Sequence, residues 1–231
     1  MRFPPDRFFA VEQYSDKWKK VRSGFPTASC FHWVITPGGK SSDAKERKKY
    51  LCRLAAEKII GDALDPEWYG NENTEHGTRT EAQARSALAK FLGHSITDGG
   101  FLLDETKRYG CSVDGMLKGQ TEAVEIKCPT LATHIGYMVY GPGFPFDKYR
   151  PQVQGHLLVG DFRCVHFWSY YPDPRFPPVH VTTRPEPQYQ HDMGTYLDKF
   201  CNDLEATTEW VRSKGNLRAV IYEQLRESAR G

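Results

Sequence analysis

The chain has no Cys-x-x-Cys pair, no long apolar run and no strong excess of either charge. Its six cysteines, at 30, 52, 111, 128, 164 and 201, are widely separated among 231 residues. That spacing reads as reduced, mostly buried thiols of a cytosolic protein, with no structural zinc. The segment Arg2-Phe-Pro-Pro-Asp-Arg-Phe-Phe holds no apolar run long enough for a signal peptide, and no stretch approaches a membrane span. The expectation is a cytoplasmic protein that does not touch a membrane. A formal net charge of +2 neither demands nor excludes nucleic acid. A DNA-binding protein with this balance must keep its Lys and Arg on one face and its acids elsewhere. Internal repeats and low-complexity segments are also missing.

What is present is an ordinary globular composition, 39% hydrophobic and 26% charged, long enough to bury a substantial core. The periodicity predicts helices over 45–60, 81–92, 147–159 and 188–214. Strands are predicted around 100–103, 109–117, 123–128, 163–170 and 179–183. Residues 62–77 and 141–146 read as loops. The expected fold is α/β, a single domain over 1–231. It has a largely helical part to about 95, a sheet core over about 96–185 and a closing helix over about 188–214.

Two short segments carry the chemistry, Gly110-Cys-Ser-Val-Asp-Gly-Met116 and Ala123-Val-Glu-Ile-Lys-Cys-Pro129. Alternation in the second puts Glu125 and Lys127 on one side of a strand, with Val124 and Ile126 on the other. A two-residue type II′ turn at Gly119-Gln120 pairs residues whose numbers sum to 239. Asp114 then faces Glu125, and Ser112 faces Lys127, with opposed Cβ atoms ~5 Å apart. Two carboxylates that close disfavour each other's ionisation unless a cation lies between them. A divalent-metal site with an attached proton-handling lysine is one reading; a surface hairpin with ordinary charges is the other.

Asp, then about ten residues, then Glu-x-Lys on an apolar strand resembles the PD-(D/E)xK nuclease core. More narrowly the chain resembles the phage lambda exonuclease and YqaJ-type viral recombinase family. The resemblance is carried by Trp18 with Arg22-x-Gly24-x-x-Thr27-Ala28-Ser29, Gly77-x-x-x-Glu81, Cys111-Ser112-x-Asp114-Gly115, Glu125-x-Lys127-Cys128-Pro129, Gln152-x-Gln154 and Tyr170-Tyr171-Pro172-Asp173, all in family order. It implies a restriction-endonuclease-like core, a central mixed sheet flanked by helices. It implies two Mg²⁺ ions, with Mn²⁺ able to substitute, held by Asp114, Glu125, the main-chain carbonyl of Ile126 and Glu81. Lys127 positions or deprotonates the attacking water, or else simply pairs with Glu125. Gln152 holds the site together. Where related recombination nucleases carry Gln-x-x-x-Tyr this chain has His156, whose default reading is a solvated helix histidine. Arg22, Thr27, Ser29 and Ser112 match the seat for a terminal 5′-phosphate. Relatives of this fold that carry an iron–sulfur cluster use closely spaced C-terminal cysteines, and Cys201 after Cys164 does not supply them, so no cluster is expected.

The implied activity is 5′-to-3′ exonucleolysis of linear double-stranded DNA to 5′-mononucleotides, leaving 3′ overhangs for recombination by single-strand annealing. Implied partners are linear duplex DNA, two further copies in a homotrimeric ring, and a single-strand annealing protein, in a phage or prophage setting within a bacterial host. The alternatives are an endonuclease of restriction or repair type and a non-catalytic DNA-end-binding protein. Two local readings stay open. Thr78-Arg-Thr-Glu81 also fits a capping box in which Glu81 serves its own helix. Phe144-Pro-Phe146 fits either a wedge between terminal bases or a packing loop.

Overall fold

A computed structural model of the chain describes residues 2–43, 45–64, 75–141 and 143–215. Seven strands and six α-helices alternate along them. In order they are β1 (Phe8–Phe9), α1 (Asp16–Arg22), a 3-10 helix (Ala28–Trp33), α2 (Lys45–Ile60), α3 (Glu75–Leu92), β2 (Phe101–Leu103), β3 (Gly110–Cys111), β4 (Gly115–Leu117), β5 (Glu122–Lys127), α4 (Leu131–Tyr140), α5 (Gly143–Gly160), β6 (Cys164–Ser169), β7 (Val179–Thr183) and α6 (Pro187–Ser213). Among the described residues no helix is long and apolar enough to cross a membrane.

The strands form two sheets. One is β4-β5-β6-β7, antiparallel except for the parallel β5–β6 pair; the other is the small antiparallel β1-β2-β3. Parallel neighbours need a long crossover, and α4 with α5 supplies it. Alternation along β5 divides the core. Val124 and Ile126 pack with Trp168, Ala84 and Leu88 under α3. Ala123, on the other face, joins the larger cluster with Val165, Phe167, Val153 and Leu157, closed by Tyr50, Phe200 and Leu204 from α2 and α6. Each such large side chain contributes roughly 1.5–3 kcal/mol by burial. The result is a mixed sheet flanked by helices on both faces.

Several expectations need correction. The single strand predicted over 109–117 is two, because the chain leaves one sheet at Cys111 and joins the other at Gly115. Asp114 therefore lies at the crossing. The hairpin register does follow the sum of 239, with Gly115 opposite Val124 and Leu117 opposite Glu122. Its turn differs: Gly119 has φ 69° and Gln120 φ 70°, and Thr121, in the helical region, donates to Leu117 O, so residues 118–121 form a four-residue connection and not a two-residue type II′ turn. The largely helical amino-terminal part contains β1, which pairs with β2. Helix α3 starts at Glu75, inside the predicted loop, so Thr78 lies within the helix and cannot cap it. Helix α5 starts at Gly143, also inside a predicted loop, which leaves Pro151 in its interior. The side chains of Phe144-Pro-Phe146 lie outside the described residues, as does most of the 62–77 loop.

One glycine sets the spacing that the site depends on. An alanine at Gly155 would put its Cβ 2.6 Å from the Phe31 ring and 3.1 Å from Ala28 Cβ. Only a residue without a Cβ lets α5 lie this close to the 3-10 helix. That contact fixes Gln152 and Ser29 relative to each other.

Candidate active site

Glu125 is the most firmly held group. It is 2% exposed. Lys127 Nζ lies 2.9 Å from its Oε1, Gln152 Nε2 donates to the same oxygen at 2.7 Å, and His156 Nε2 meets Oε2 at 2.8 Å. Burial alone would raise this acid, but the Lys127 charge and the His156 hydrogen bond outweigh it and hold it at about 2. Gln152 and His156 reach one carboxylate because they stand one helical turn apart on α5. His156 is thus a buried partner of Glu125, not a solvated residue. Its Nδ1 has no hydrogen-bond partner among the described residues. Gln154 faces away and ties α5 to the start of α6 through Arg184 O and Glu186.

Asp114 is placed differently. Its amide donates to Val124 O at 2.9 Å, and its Oδ2 accepts from the Ile126 amide at 2.6 Å. A strand residue presents its N–H and C=O to the same edge, so the Ile126 carbonyl also opens toward Asp114, past the end of β4. Burial, Glu125 and then Glu81 push the Asp114 acid well above its ordinary value, against Lys127 and the Ile126 amide. Glu81 is raised for related reasons, burial first, with Arg85 and Lys127 opposing. Glu81 projects from α3 toward this group, so its surroundings are the site rather than a helix cap. Arg85, one turn along, donates to the Asp114 carbonyl.

The donor set is therefore three carboxylates and a main-chain carbonyl, all oxygen, with two of the acids disfavoured as anions. That is the chemistry a hard divalent cation such as Mg²⁺ prefers, and its charge would relieve the crowding. Asp114, Glu125, Glu81 and the Ile126 carbonyl fit the group.

The arginine segment sits beside it. Arg22 is buried, with its guanidinium 4.0 Å from the centre of the Trp18 ring, and its Nη2 donates to Thr27 Oγ1 at 3.0 Å. Thr27 Oγ1 lies 3.4 Å from Ser29 Oγ, and the Thr27 amide donates to the Tyr50 hydroxyl. Thr27 stands just before the 3-10 helix but makes no side-chain cap; its hydroxyl serves Arg22 instead. Ser112 Oγ accepts from Trp18 Nε1 at 2.9 Å. One cavity of about 380 Å³ is lined by these residues and by the carboxylate group together: Arg22, Thr27, Ser29 and Ser112 with Glu81, Asp114, Glu125, Ile126, Lys127 and Gln152.

Two residues beside the site had no place in the motif reading, and a third, His156, entered it only at the position where relatives carry a tyrosine and was read there as solvated. Tyr149 lies with its ring centre 5.0 Å from Lys127 Nζ. Tyr14 lines both this cavity and a neighbouring one of about 730 Å³, which meet at Tyr14, Glu81 and Asp114. Its φ of 67° is costly for a bulky side chain. Nothing in the sequence signals that.

A family model for the YqaJ-like viral recombinase domain matches residues 17–163. An alkaline exonuclease from Laribacter hongkongensis is similar over 87% of this chain and 97% of its own, with 25% identity and a TM-score of 0.76. The same enzyme in complex with dAMP gives 26% identity and 0.74 over the same shares. A phage-related exonuclease from Haemophilus somnus 129PT, 13% identical with a TM-score of 0.60 over 82% of this chain and 96% of its own, shares the fold. No curated protein matches the chain. The family model runs from α1, past both carboxylate-bearing strands, to the end of α5, and the chain belongs to the YqaJ-like viral recombinase domain family.

Proposed function

We propose that the chain is a Mg²⁺-dependent 5′-to-3′ exonuclease of linear double-stranded DNA, releasing 5′-mononucleotides and leaving 3′ overhangs for single-strand annealing. The observation that carries this reading is the shared cavity, in which an arginine–hydroxyl cluster and an acid–lysine cluster line one space. Support from outside the chain comes from the alkaline exonuclease of similar fold, a structure of which contains dAMP.

Arg22 binds the terminal 5′-phosphate with its planar fork, a charge-assisted contact that a neutral end does not make. Thr27, Ser29 and Ser112 add hydroxyl hydrogen bonds. Asp114, Glu125, Glu81 and the Ile126 carbonyl would hold two Mg²⁺ ions, with Mn²⁺ able to substitute. Bound there, the ions supply positive charge for the attacking and leaving oxygens of an in-line phosphodiester displacement. Lys127 Nζ orients the attacking water or takes its proton. Gln152 and His156 keep Glu125 in place. Seating the end phosphate beside the reacting one measures off a single nucleotide per cycle and makes the enzyme an exonuclease.

The ring-shaped homotrimer, the annealing partner and a phage or prophage role in the bacterial cytosol come with the family resemblance and belong to the same proposal. The test is digestion of a linear duplex labelled at each end in turn, with Mg²⁺. Label on the 5′ terminal nucleotide is expected to appear first, as mononucleotide. Nicking of closed circles would replace this reading with an endonuclease, and equal rates on 5′-hydroxyl and 5′-phosphate ends would remove the phosphate seat.

A further inference from the structure

Strand β5 carries a second buried carboxylate, at its first residue. Glu122 is 2% exposed and lies on the strand face opposite to Glu125. Across the parallel pair its register partner is Cys164, and His166 follows on the same side of β6. Both are buried. His166 Nε2 lies 3.0 Å from Glu122 Oε2 and 3.7 Å from Cys164 Sγ, and the three donor atoms all fall within 4.8 Å of one another. Zinc bond lengths of ~2.0–2.1 Å to nitrogen and oxygen and ~2.3 Å to sulfur give N···O and N···S separations of about 3.3 and 3.6 Å at tetrahedral angles. The N···S spacing is close to that of two ligands on one ion, and the N···O spacing, a hydrogen bond in the metal-free protein, has to open by about 0.3 Å.

The surroundings are those of a metal site as well. A ligating histidine is normally fixed through its other ring nitrogen, and His166 Nδ1 lies 3.0 Å from His180 Nε2, the two rings stacked 5.3 Å apart. The second oxygen of Glu122 is held by Arg163 Nη2. Outer partners thus orient both of these donors.

We propose that Glu122, Cys164 and His166 form a second metal site, for a thiolate-accepting divalent ion of the zinc type. The ligand chemistry separates it from the all-oxygen group at Asp114: sulfur and imidazole favour zinc-like ions, while Mg²⁺ takes oxygen. Starting from neutral imidazoles, binding releases one proton, the Cys164 S–H proton, to solvent. The proton on His166 Nε2 moves to Nδ1 and is donated to His180 Nε2, and the proton that His180 Nε2 had donated to His166 moves to its own Nδ1. The ion staples the first residue of β5 to the first residue of β6, at the far end of the strand that carries Glu125 and Lys127. Cysteine spacing alone hides such a site, because a single thiol completes it with a carboxylate and an imidazole from distant segments.

The test is titration of the chelator-stripped protein with Co²⁺ under saturating Mg²⁺, which keeps the Asp114 group occupied. One equivalent is expected to give a sulfur-to-cobalt charge-transfer band and the strong visible bands of tetrahedral Co²⁺. Cys164→Ser is expected to abolish the charge-transfer band, while Cys201→Ser and Asp114→Asn keep it. Zn²⁺ is expected to raise the melting temperature of the wild type but not of Cys164→Ser. If Cys164→Ser fails to fold by circular dichroism, Glu122→Gln is expected to weaken Co²⁺ binding at least tenfold. A wild-type spectrum without the sulfur band, or a band that persists in Cys164→Ser, overturns the proposal.

Discussion

Glu122 opens β5 and Glu125 lies near its other end, equally buried, each held by one basic side chain and one histidine. Their immediate partners scarcely distinguish them. The next ring of groups does: Glu125 has Asp114 and Glu81 nearby, with a cavity beside it, whereas Glu122 has a thiol and a second imidazole. One end gathers oxygen donors around a space that admits a substrate; the other gathers mixed donors in the packed interior. A buried carboxylate with its own cation is therefore weak evidence of function, and what surrounds the pair decides.

Removing the carboxylate crowd should have the largest effect. Asp114→Ala is expected to lower the rate on a linear 5′-phosphorylated duplex by ~10³-fold or more, since the charge stabilisation it anchors contributes several kcal/mol. Asp114→Asn should be as inactive, yet melt at a higher temperature than the wild type in EDTA, because its amide oxygen still accepts from Ile126 while the repulsion is gone. A metal-free protein no more stable than the wild type would show that Asp114 is not electrostatically strained.

The two histidines break the likeness from the other side. His156→Asn is expected to lower kcat ~10–100-fold, the usual cost of losing a group that orients a ligand, with little change in DNA affinity. His166→Asn, on the neighbouring strand β6 beside Glu122, should leave kcat within a few-fold per folded molecule. Equal losses from both would mean that His156 acts only through stability. A smaller effect is expected at the arginine–hydroxyl group. Arg22→Lys keeps a charge but loses the planar fork, so the preference for 5′-phosphate over 5′-hydroxyl ends should fall ~10-fold while single-turnover cleavage changes little.

Much of this arrangement was legible in the residues. Alternation in Glu122–Lys127 and the turn residues at 119–120 fixed the register that brings Asp114 toward Glu125, and the 3.6-residue period gave α2 and α6 almost to the residue. The site residues proposed from the motifs all line one cavity. Illegible features share a cause, which is partners far away in sequence. The step between sheets takes only residues 112–114, with a bend at Asp114, so period-2 reading sees one strand. Helix α4, with no charged residue in Leu131–Tyr140, has no polar stripe to mark its period. His156 meets Glu125 across 31 residues, and a lone helix histidine gives no hint of that.

Opposite acid shifts across one hairpin give the finest test of the comparison. Glu125 is held near 2 in the folded protein, below its unfolded value of ~4.3. Its stabilisation is present above that unfolded value and is lost only as the pH falls toward 2. Asp114 is raised, so its contribution has the other sign, present below ~3.9 and lost as the pH rises through its folded value. Between pH 5 and 8 Glu125 is ionised in both states and adds no slope, which leaves Asp114 and Glu81 to destabilise the metal-free protein as they ionise. The increase in melting temperature on adding Mg²⁺ should therefore be greater at pH 8 than at pH 5, by a few degrees, since ~1 kcal/mol shifts a chain of this length by about 2–4 °C. In Asp114→Asn most of that pH dependence should vanish. A Mg²⁺ effect that is flat across this range, or equal in the variant, would mean that the raised acids are not the ones the cation relieves.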